Sequence, residues 1–452
     1  MSDAIRSRGL LEGDTEKGFL GAQFSLEQDE NIRPGLKPVS VIVLGAGERG
    51  KIYADYALTH PDRIKVVGVA EPKHRQRMNM AEAHRIPDEN IFEDWAVVFK
   101  RERFADAVII ATPDRLHASP TLSAAEKGYH ILLEKPMAPT EEECRDIVKT
   151  VMDKGVIFSV CHVLRHTNYT RELKRIIDSG VLGEVVSIQH LEPVGHWHQA
   201  HSFVRGNWRR SDESSSMLLA KSCHDVDWIR YIMGVPCRSV SSFGSLNHFK
   251  KDRTPNGAAD RCIDCPGDVE QSCPYSAKRI YMGFIEKGVK GWPVDAVTLD
   301  NDAENLVKAL REGPYGRCVY ACDNDAVDNQ VTIMEFEGGK TACFVMTAFT
   351  EATSRRTRIF GTKSEVEVDG RFIRVFDFLG MRHTVIDTAR DESDLAGHEG
   401  GDIGVVENFI DAVRQGDQSK ILTGAIETLE SHLIVFAAER SRLEKRVVNV
   451  SP

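Results

Sequence analysis

The chain of 452 residues contains no stretch approaching the roughly 18 to 20 consecutive apolar residues of a membrane helix. Its polar opening, MSDAIRSRGLLEGDTEKG, lacks the apolar middle of a secretory leader. Neither a membrane nor an export route is therefore expected, and the expected location is cytoplasmic. Excess positive charge is also missing: 58 Lys and Arg face 68 Asp and Glu, a formal net charge of -10 that argues against a general nucleic-acid binder. With only 17 prolines, no low-complexity tract and no internal repeat, a disordered or collagen-like chain is excluded. What is present is ordinary for a folded protein, 41% hydrophobic and 28% charged residues. The length exceeds what one hydrophobic core serves well, so two or three domains and a small-molecule partner are expected. Ten cysteines in a chain without an export signal favour free thiols or metal ligation over disulfides.

Residues 1–38 are polar, show no sustained period and end in NIRPGLKPV, which reads as an arm, an oligomer contact for instance. From residue 39 to 160, short β-branched runs (VSVIVLGAG, IKVVGVAEP, ADAVIIATP, HILLEKP, VIFSVCHVL) alternate with helical segments, the signature of a doubly wound parallel sheet. Over 161–398 longer strands with short Gly turns (GEVVSIQHLEPV, NQVTIMEFEGG, KTACFVMTAFT) imply a large, open, mostly antiparallel sheet with a Cys-rich insert near 250–325. Residues 399–452 return to helical periodicity and can pack on either domain. The expected class is α/β plus α+β.

In VLGAGERG, Gly45, Gly47 and Gly50 form G-x-G-x-x-G between a strand and a helix, where the backbone can approach a pyrophosphate at a helix N-terminus. Glu71, ending the second strand, can accept from adenosine ribose hydroxyls and so favours NAD over NADP, with Lys73 and Arg75 near enough to soften that preference. At ILLEKPMAP, Glu134, Lys135 and Pro136 leave a strand at the carboxyl edge that such sheets use for ligands, and Pro136 keeps Lys135 extended. By itself that pair is more often a solvated turn.

The set VLGAGERG, ATPDRLHA, LLEKPMA, DSGVLGEVVSIQH and CHDVDWIRYIMG resembles the glucose-fructose oxidoreductase / inositol dehydrogenase / MocA (Gfo/Idh/MocA) family from about residue 39 to the end. The resemblance implies an N-terminal Rossmann domain, a second domain on a large open sheet, NAD or NADP, sugar or cyclitol substrates, and a homodimer or homotetramer assembled through the sheet. By motif it makes Lys135 the lysine of the catalytic EKP signature and His224 the histidine facing the nicotinamide. It also implies cofactor contacts from Glu48, Arg49, Thr112, Pro113, His117 and Glu134. One position departs from the pattern: many members carry an aspartate four residues before the histidine, and here Ala220 stands there, followed by Lys221.

Ser222 to Asp225 fits a capping-box-like start, which would place His224 in a first helical turn whose positive end keeps the ring neutral. Val226, Ile229 and Met233 would supply the buried face, and Lys221 and Asp225 would share the polar side with His224. Cys223 and His224, adjacent on a helix, diverge too far to share an ion. The stretch PVGHWHQAHSFVRGNWRRSDE gathers His196, His198, His201, Arg205, Trp208, Arg209 and Arg210; arginines clamp anionic groups and tryptophan offers a face to a sugar ring, so a substrate loop is expected rather than a solvated basic one. Arg165 and His166, with Asn168, are expected near the same cleft. Cys262, Cys265 and Cys273, completed by Cys318 in preference to Cys322, have the spacing of a structural zinc site, with an iron–sulfur cluster or unligated thiols as the competing readings.

These features point to an enzyme that, with NAD, transfers hydride from a ring hydroxyl of a sugar or glycoside bearing an acidic group, with Lys135, His224 and Lys221 as the catalytic set. A redox-neutral glycosidase that oxidises C-3 transiently, eliminates, hydrates and reduces is the alternative, with a sulfosugar glycoside suiting the arginines. A non-catalytic sugar sensor is more remote, because both Lys135 and His224 are retained.

Overall fold

The computed structural model describes residues 37–300, 302–389, 398 and 400–450. The expected N-terminal arm lies outside them. The described residues from Pro38 onward form one compact unit. Its first sheet contains β1 (Val39–Leu44), β2 (Ile64–Ala70), β3 (Ile91–Phe92), β4 (Ala107–Ile110), β5 (His130–Leu133) and β6 (Phe158–Val160), all parallel in the order β3-β2-β1-β4-β5-β6. These strands read as continuous apolar runs because both faces are covered. Along β1, Val41 and Val43 enter one core with Phe409 and Ile410, while Ile42 and Leu44 enter the other with Ile147 and Phe158.

The second sheet has nine strands: β7 (Val185–Pro193), β8 (Cys237–Ser245), β9 (Asn329–Phe336), β10 (Thr341–Thr347), β11 (Arg356–Gly361), β12 (Ser364–Val368), β13 (Phe372–Asp377), β14 (Arg382–Asp387) and β15 (Val448–Asn449). Their order is β14-β13-β12-β11-β7-β10-β9-β8-β15, antiparallel throughout except for the β7–β10 pair. Period-2 alternation sends Ile188, Phe344, Met346 and Met334 inward and leaves Val186, Phe243 and Ile333 exposed on the other face. The inner face carries the helix Met217–Met233, whose Trp228 stacks on His190 with ring centroids 5.1 Å apart.

That helix departs from expectation. It starts two turns earlier than the Ser222–Asp225 pattern implied, with Ser216 accepting at the N-cap from the Leu219 N–H, while Ser222 sits mid-helix and donates to the Met346 sulfur. Serine at a cap and serine inside a buried helix look alike in sequence; the packing of Met217, Leu218 and Leu219 into the core decides where the helix begins. The C-terminal helices serve both layers. Gly401–Gln415 packs on the Rossmann sheet through Val405, Phe409 and Ile410, and Ala425–Glu444 buries Ile434, Val435 and Ala438 beneath the large sheet.

Candidate functional site

The strand-to-helix turn after β1 is built by its glycines, each for a different reason. Gly45 has φ +94°, and a Cβ on it would lie 2.5 Å from the Ala111 carbonyl oxygen. A Cβ on Gly50 would meet the Gly45 carbonyl at 1.9 Å, so the helix can approach the strand only without a side chain there. Gly47 caps the helix Glu48–Thr59, and nothing lies within 4 Å of where its Cβ would be, which leaves a bare backbone facing open space. Turn, open approach and close helix packing are the three things a dinucleotide pyrophosphate needs, so the residues present fit NAD. Glu71 accepts from the N–H groups of Ala46 and Lys73, both at 2.9 Å, and is thus held as an acceptor at the end of β2. Arg75 is not free beside it: its guanidinium pairs with Asp300 at 2.9 Å.

Thr112, Pro113 and His117 follow β4. His117 is fully buried, with Nδ1 2.6 Å from the Pro136 carbonyl and Nε2 2.8 Å from the Thr112 carbonyl, so it ties the loop after β4 to the EKP loop after β5. The Thr112 hydroxyl donates to the Leu116 carbonyl. Glu134 accepts from Arg49 Nε at 2.7 Å, and Arg49 also donates to Asp402, which lies 3.1 Å from His398 Nδ1. Arg49 therefore joins the Gly-rich turn, the EKP motif and the helix Gly401–Gln415. Glu48 contacts Asp295 of the insert; burial, followed by the Asp295 charge, pushes its carboxyl up to about 7.

Lys135 reaches across to the second domain, where its ammonium donates to the Ala220 carbonyl at 2.6 Å. The position that departs from the family pattern thus offers Lys135 a backbone acceptor. His224, 5% exposed, sits beside it, and Nδ1 has no hydrogen-bond partner among the described residues. Burial first, then the Lys135 charge and the neighbouring His162, His398 and Arg355, hold its ring well below the usual imidazole range. Neutrality was expected from a helix terminus, but His224 lies two turns in, beyond the reach of the terminal charge, and desolvation supplies it instead. The rings of His398, His224, His162 and His432 form a row with successive centroids 5.9, 5.8 and 5.6 Å apart.

Lys221 pairs with Glu192 at 3.0 Å. Asp225, expected at the substrate, is fully buried and accepts from Arg355 at 2.7 Å; His190 Nε2 lies 3.0 Å away. Burial opposes its ionisation, but Arg355 and His190 outweigh burial and hold the carboxyl well below the usual range. Asp225 therefore orients Arg355 rather than facing the cleft. His198 stays near the cleft: burial and then the charge of Lys221, with Lys135 further off, push its ring well down. Trp292 of the insert stands over it at a centroid distance of 4.9 Å.

Several expected substrate contacts are engaged elsewhere. Arg165 is buried in a two-pronged pair with Asp227, both bonds 2.7 Å, and donates to the Leu422 carbonyl. His166 is buried against Gly404, its ring held down to about 3 by burial and by Arg171 and Arg165. His201 lies 2.7 Å from the Tyr281 hydroxyl and stacks on Tyr315, both in the insert. His196 tilts toward Tyr275, also of the insert, at 6.4 Å. Trp208 donates to Asp114 from Nε1, Arg209 is split between Asp323 and Glu213, and Arg210 pairs with Asp212. Arg205 points into a small cavity lined by Cys262, Cys265, Cys273 and Cys318, with Cys322 outside it. The loop was read as substrate-facing because its composition suits a sugar; most of it instead forms the floor on which the insert packs. Among the described residues no three His, Cys, Asp or Glu side chains stand together as a formed metal group, so the expected zinc has no preassembled site.

Sequence reading missed His162, Glu192, Arg355, Asp402 and Trp292. For His398 and Asp402 a signal existed, the run GHEGGDIG opening a helix; for Arg355 and Glu192 only the fold brings the partners together.

Comparison with known proteins agrees with this geometry. The chain is 28% identical over 218 residues to the 2,7-anhydro-N-acetylneuraminate hydratase of Mediterraneibacter gnavus, an alignment covering 47% of this chain and 54% of that protein. It is 27% identical over 289 residues to the scyllo-inositol 2-dehydrogenase (NAD(+)) of Bacillus subtilis, covering 63% and 70%. The chain spans about half the length of the hydratases it matches. The fold of levoglucosan dehydrogenase, solved in complex with NADH and levoglucosan, superposes with a TM-score of 0.68 at 19% identity, over 92% of this chain and 100% of that one. Residues 39–162 match the model of the oxidoreductase family's NAD-binding Rossmann fold, and residues 174–450 that of its C-terminal alpha/beta domain; the chain belongs to the Gfo/Idh/MocA oxidoreductase family.

Proposed function

We propose that the protein is an NAD-dependent oxidoreductase acting on a ring hydroxyl of a sugar or glycoside. The observation that carries this reading is the meeting of Lys135, from the cofactor domain, with His224 and Ala220 of the second domain at the carboxyl edge of the parallel sheet. NAD, when bound, supplies the two-electron acceptor. Gly45, Gly47 and Gly50 would hold its pyrophosphate, and Glu71 its adenosine ribose. The carboxylate of Glu71, with Arg75 already paired to Asp300, supports NAD over NADP.

Oxidising a carbinol requires its hydroxyl proton to leave, so a base must stand within hydrogen-bond reach of that oxygen. Lys135 and His224 suit this as one unit. Burial first, and the Lys135 charge second, keep His224 a neutral ring that can accept the hydroxyl proton, while Lys135 would donate a hydrogen bond to the same oxygen. Ala220 fixes the lysine end by its carbonyl.

A redox-neutral reading, in which the sugar is oxidised, undergoes elimination and hydration, and is reduced again, is favoured by a second acid–base group: the Lys221–Glu192 pair with His198 beside it. The hydratase name of two relatives supports the same reading. With Arg165, Arg205 and Arg209 engaged, the substrate proposed is a sugar or glycoside without a required anionic group. The apolar outer face of the large sheet, with Val186, Phe243 and Ile333 exposed, supports a homodimer or homotetramer, which light scattering of the purified chain would measure. The functional test incubates the protein with neutral and acidic glycosides while NADH absorbance and released aglycone are followed together. Stoichiometric NADH supports the dehydrogenase, and aglycone without net NADH supports the redox-neutral cycle. Neither product, from protein shown to bind NAD, overturns both.

A further inference from the structure

Arg205 presents an electrostatic problem. The residue is 1% exposed, and its guanidinium donates only to the Arg317 carbonyl at 2.7 Å, the Tyr275 carbonyl at 2.8 Å and the Cys262 sulfur at 3.4 Å. Nη1 has no partner, and no carboxylate pairs with it among the described residues. A buried, permanently charged group without a countercharge costs several kcal/mol. Neutral carbonyls satisfy donors but do not cancel the charge. The chemistry that can do so here is sulfur: the cavity Arg205 lines is also lined by Cys262, Cys265, Cys273 and Cys318. The chain is folded so as to bring them together. The Cys318 N–H donates to the Asp260 carbonyl at 2.8 Å, and Arg261 bridges to Arg317, so the 262–265 knuckle is clamped beside Cys318.

We propose that these four thiols close around one divalent zinc ion as a structural tetrathiolate centre, with Arg205 as its countercharge. Binding releases four thiol protons and forms four Zn–S bonds. Four thiolates on one Zn²⁺ leave a charge of −2, which a buried guanidinium offsets in part. The sulfurs are not drawn in as the structure stands; turning a thiol between staggered χ1 positions moves its sulfur by about 3 Å, and metal binding would draw the four together by such turns. The cavity takes Cys318 and leaves out Cys322, whose thiol donates to the Cys318 carbonyl. Such a centre would brace the insert that carries Trp292 over His198 and Asp295 against Glu48, and so connects to both halves of the site.

The test is elemental analysis of the tag-free full chain by mass spectrometry, with mercurial titration releasing metal into a colorimetric chelator. About one zinc per chain, released as four thiols are titrated, is expected. Cys262→Ala with Cys273→Ala should lower the zinc content at least tenfold, Cys322→Ala should leave it unchanged, and Arg205→Met should accelerate loss to chelator severalfold while Arg205→Lys restores retention. Cobalt exchanged into the wild-type site should show the intense bands of tetrahedral thiolate ligation, a readout that does not depend on any variant folding. Metal well below one per chain, iron with visible charge-transfer absorption, zinc unchanged by the double substitution, or zinc lost in Cys322→Ala would each overturn the proposal.

Discussion

The Gly-rich turn and the His/Arg/Trp loop look equally rich in sequence, yet the structure treats them oppositely. At Gly45 and Gly50 each residue meets a demand set within a few ångströms of its own backbone, and Gly47 leaves the approach beside them open. Between His196 and Arg209 the named side chains are claimed mainly by segments far away in the chain: Tyr281 and Tyr315 for His201, Asp114 for Trp208, Asp323 for Arg209. Local steric need transfers directly from sequence to function. Affinity for a ligand does not, because a distant part of the same protein can satisfy the same side chain first.

The strongest test of this contrast is Lys135→Ala, expected to lower kcat by about 10³-fold, in line with the usual 10² to 10⁴ for a proton-transfer group. NAD binding, measured by calorimetry, should persist, because the glycines are untouched. If kcat held while NAD binding failed, the assignment of chemistry to the EKP loop would be wrong.

Arg165→Met should act on stability rather than on substrate. It strands Asp227 in the core, at an expected cost of about 3–5 kcal/mol read by denaturant unfolding. A rise in KM with stability intact would return Arg165 to the substrate.

Next in size, Gly50→Ala places a methyl against the Gly45 carbonyl and should weaken NAD binding by tenfold or more through a forced shift of the helix, whereas Gly47→Ala meets no protein atom and should leave thermal stability unchanged. Equal losses of stability in both variants would erase the division of roles.

The smallest effect concerns pH. The Glu48 carboxyl is raised to about 7 by burial and by Asp295, so the protonated contact is fully present below its ordinary pKa near 4.5 and is lost as pH rises through about 7. Trp292 fluorescence should report a loosening of the insert over that window, and Glu48→Gln should abolish the transition; an unchanged profile in the variant would remove Glu48 as its source.

The two sheets and the glycine turn were legible because period and glycine spacing are local signals, whereas the expectation that His224 works with Lys135 came from the family resemblance of the two motifs. The start of the helix at Met217 was not, since Ser216 and Ser222 are equally good caps and core packing chose between them. Nor was the neutrality of His224 traceable to its causes: burial comes first, and the electrostatic contributions behind it come from Lys135, His162, His398 and Arg355, the last three 62, 174 and 131 residues away in sequence. Asp225 looked available beside His224, but His190 of β7 and Arg355, just before β11, take its carboxylate. The cysteines occupy the middle ground. Their spacing drew attention to them and four of them line one cavity, but no metal group is formed among the described residues, and the lone charge of Arg205 is visible only in three dimensions.

The pairing of Ser245 with Asn329 gives the insert an evolutionary freedom of its own. Everything from residue 246 to 328 is, topologically, the loop of a single hairpin between β8 and β9. Lengthening a loop whose ends are already clamped costs only a logarithmic increment of chain entropy. Relatives can therefore enlarge, trim or replace this segment without retuning the sheet beneath it, and a cover over the cleft becomes a part that can be exchanged while the proton-handling pair stays as it is.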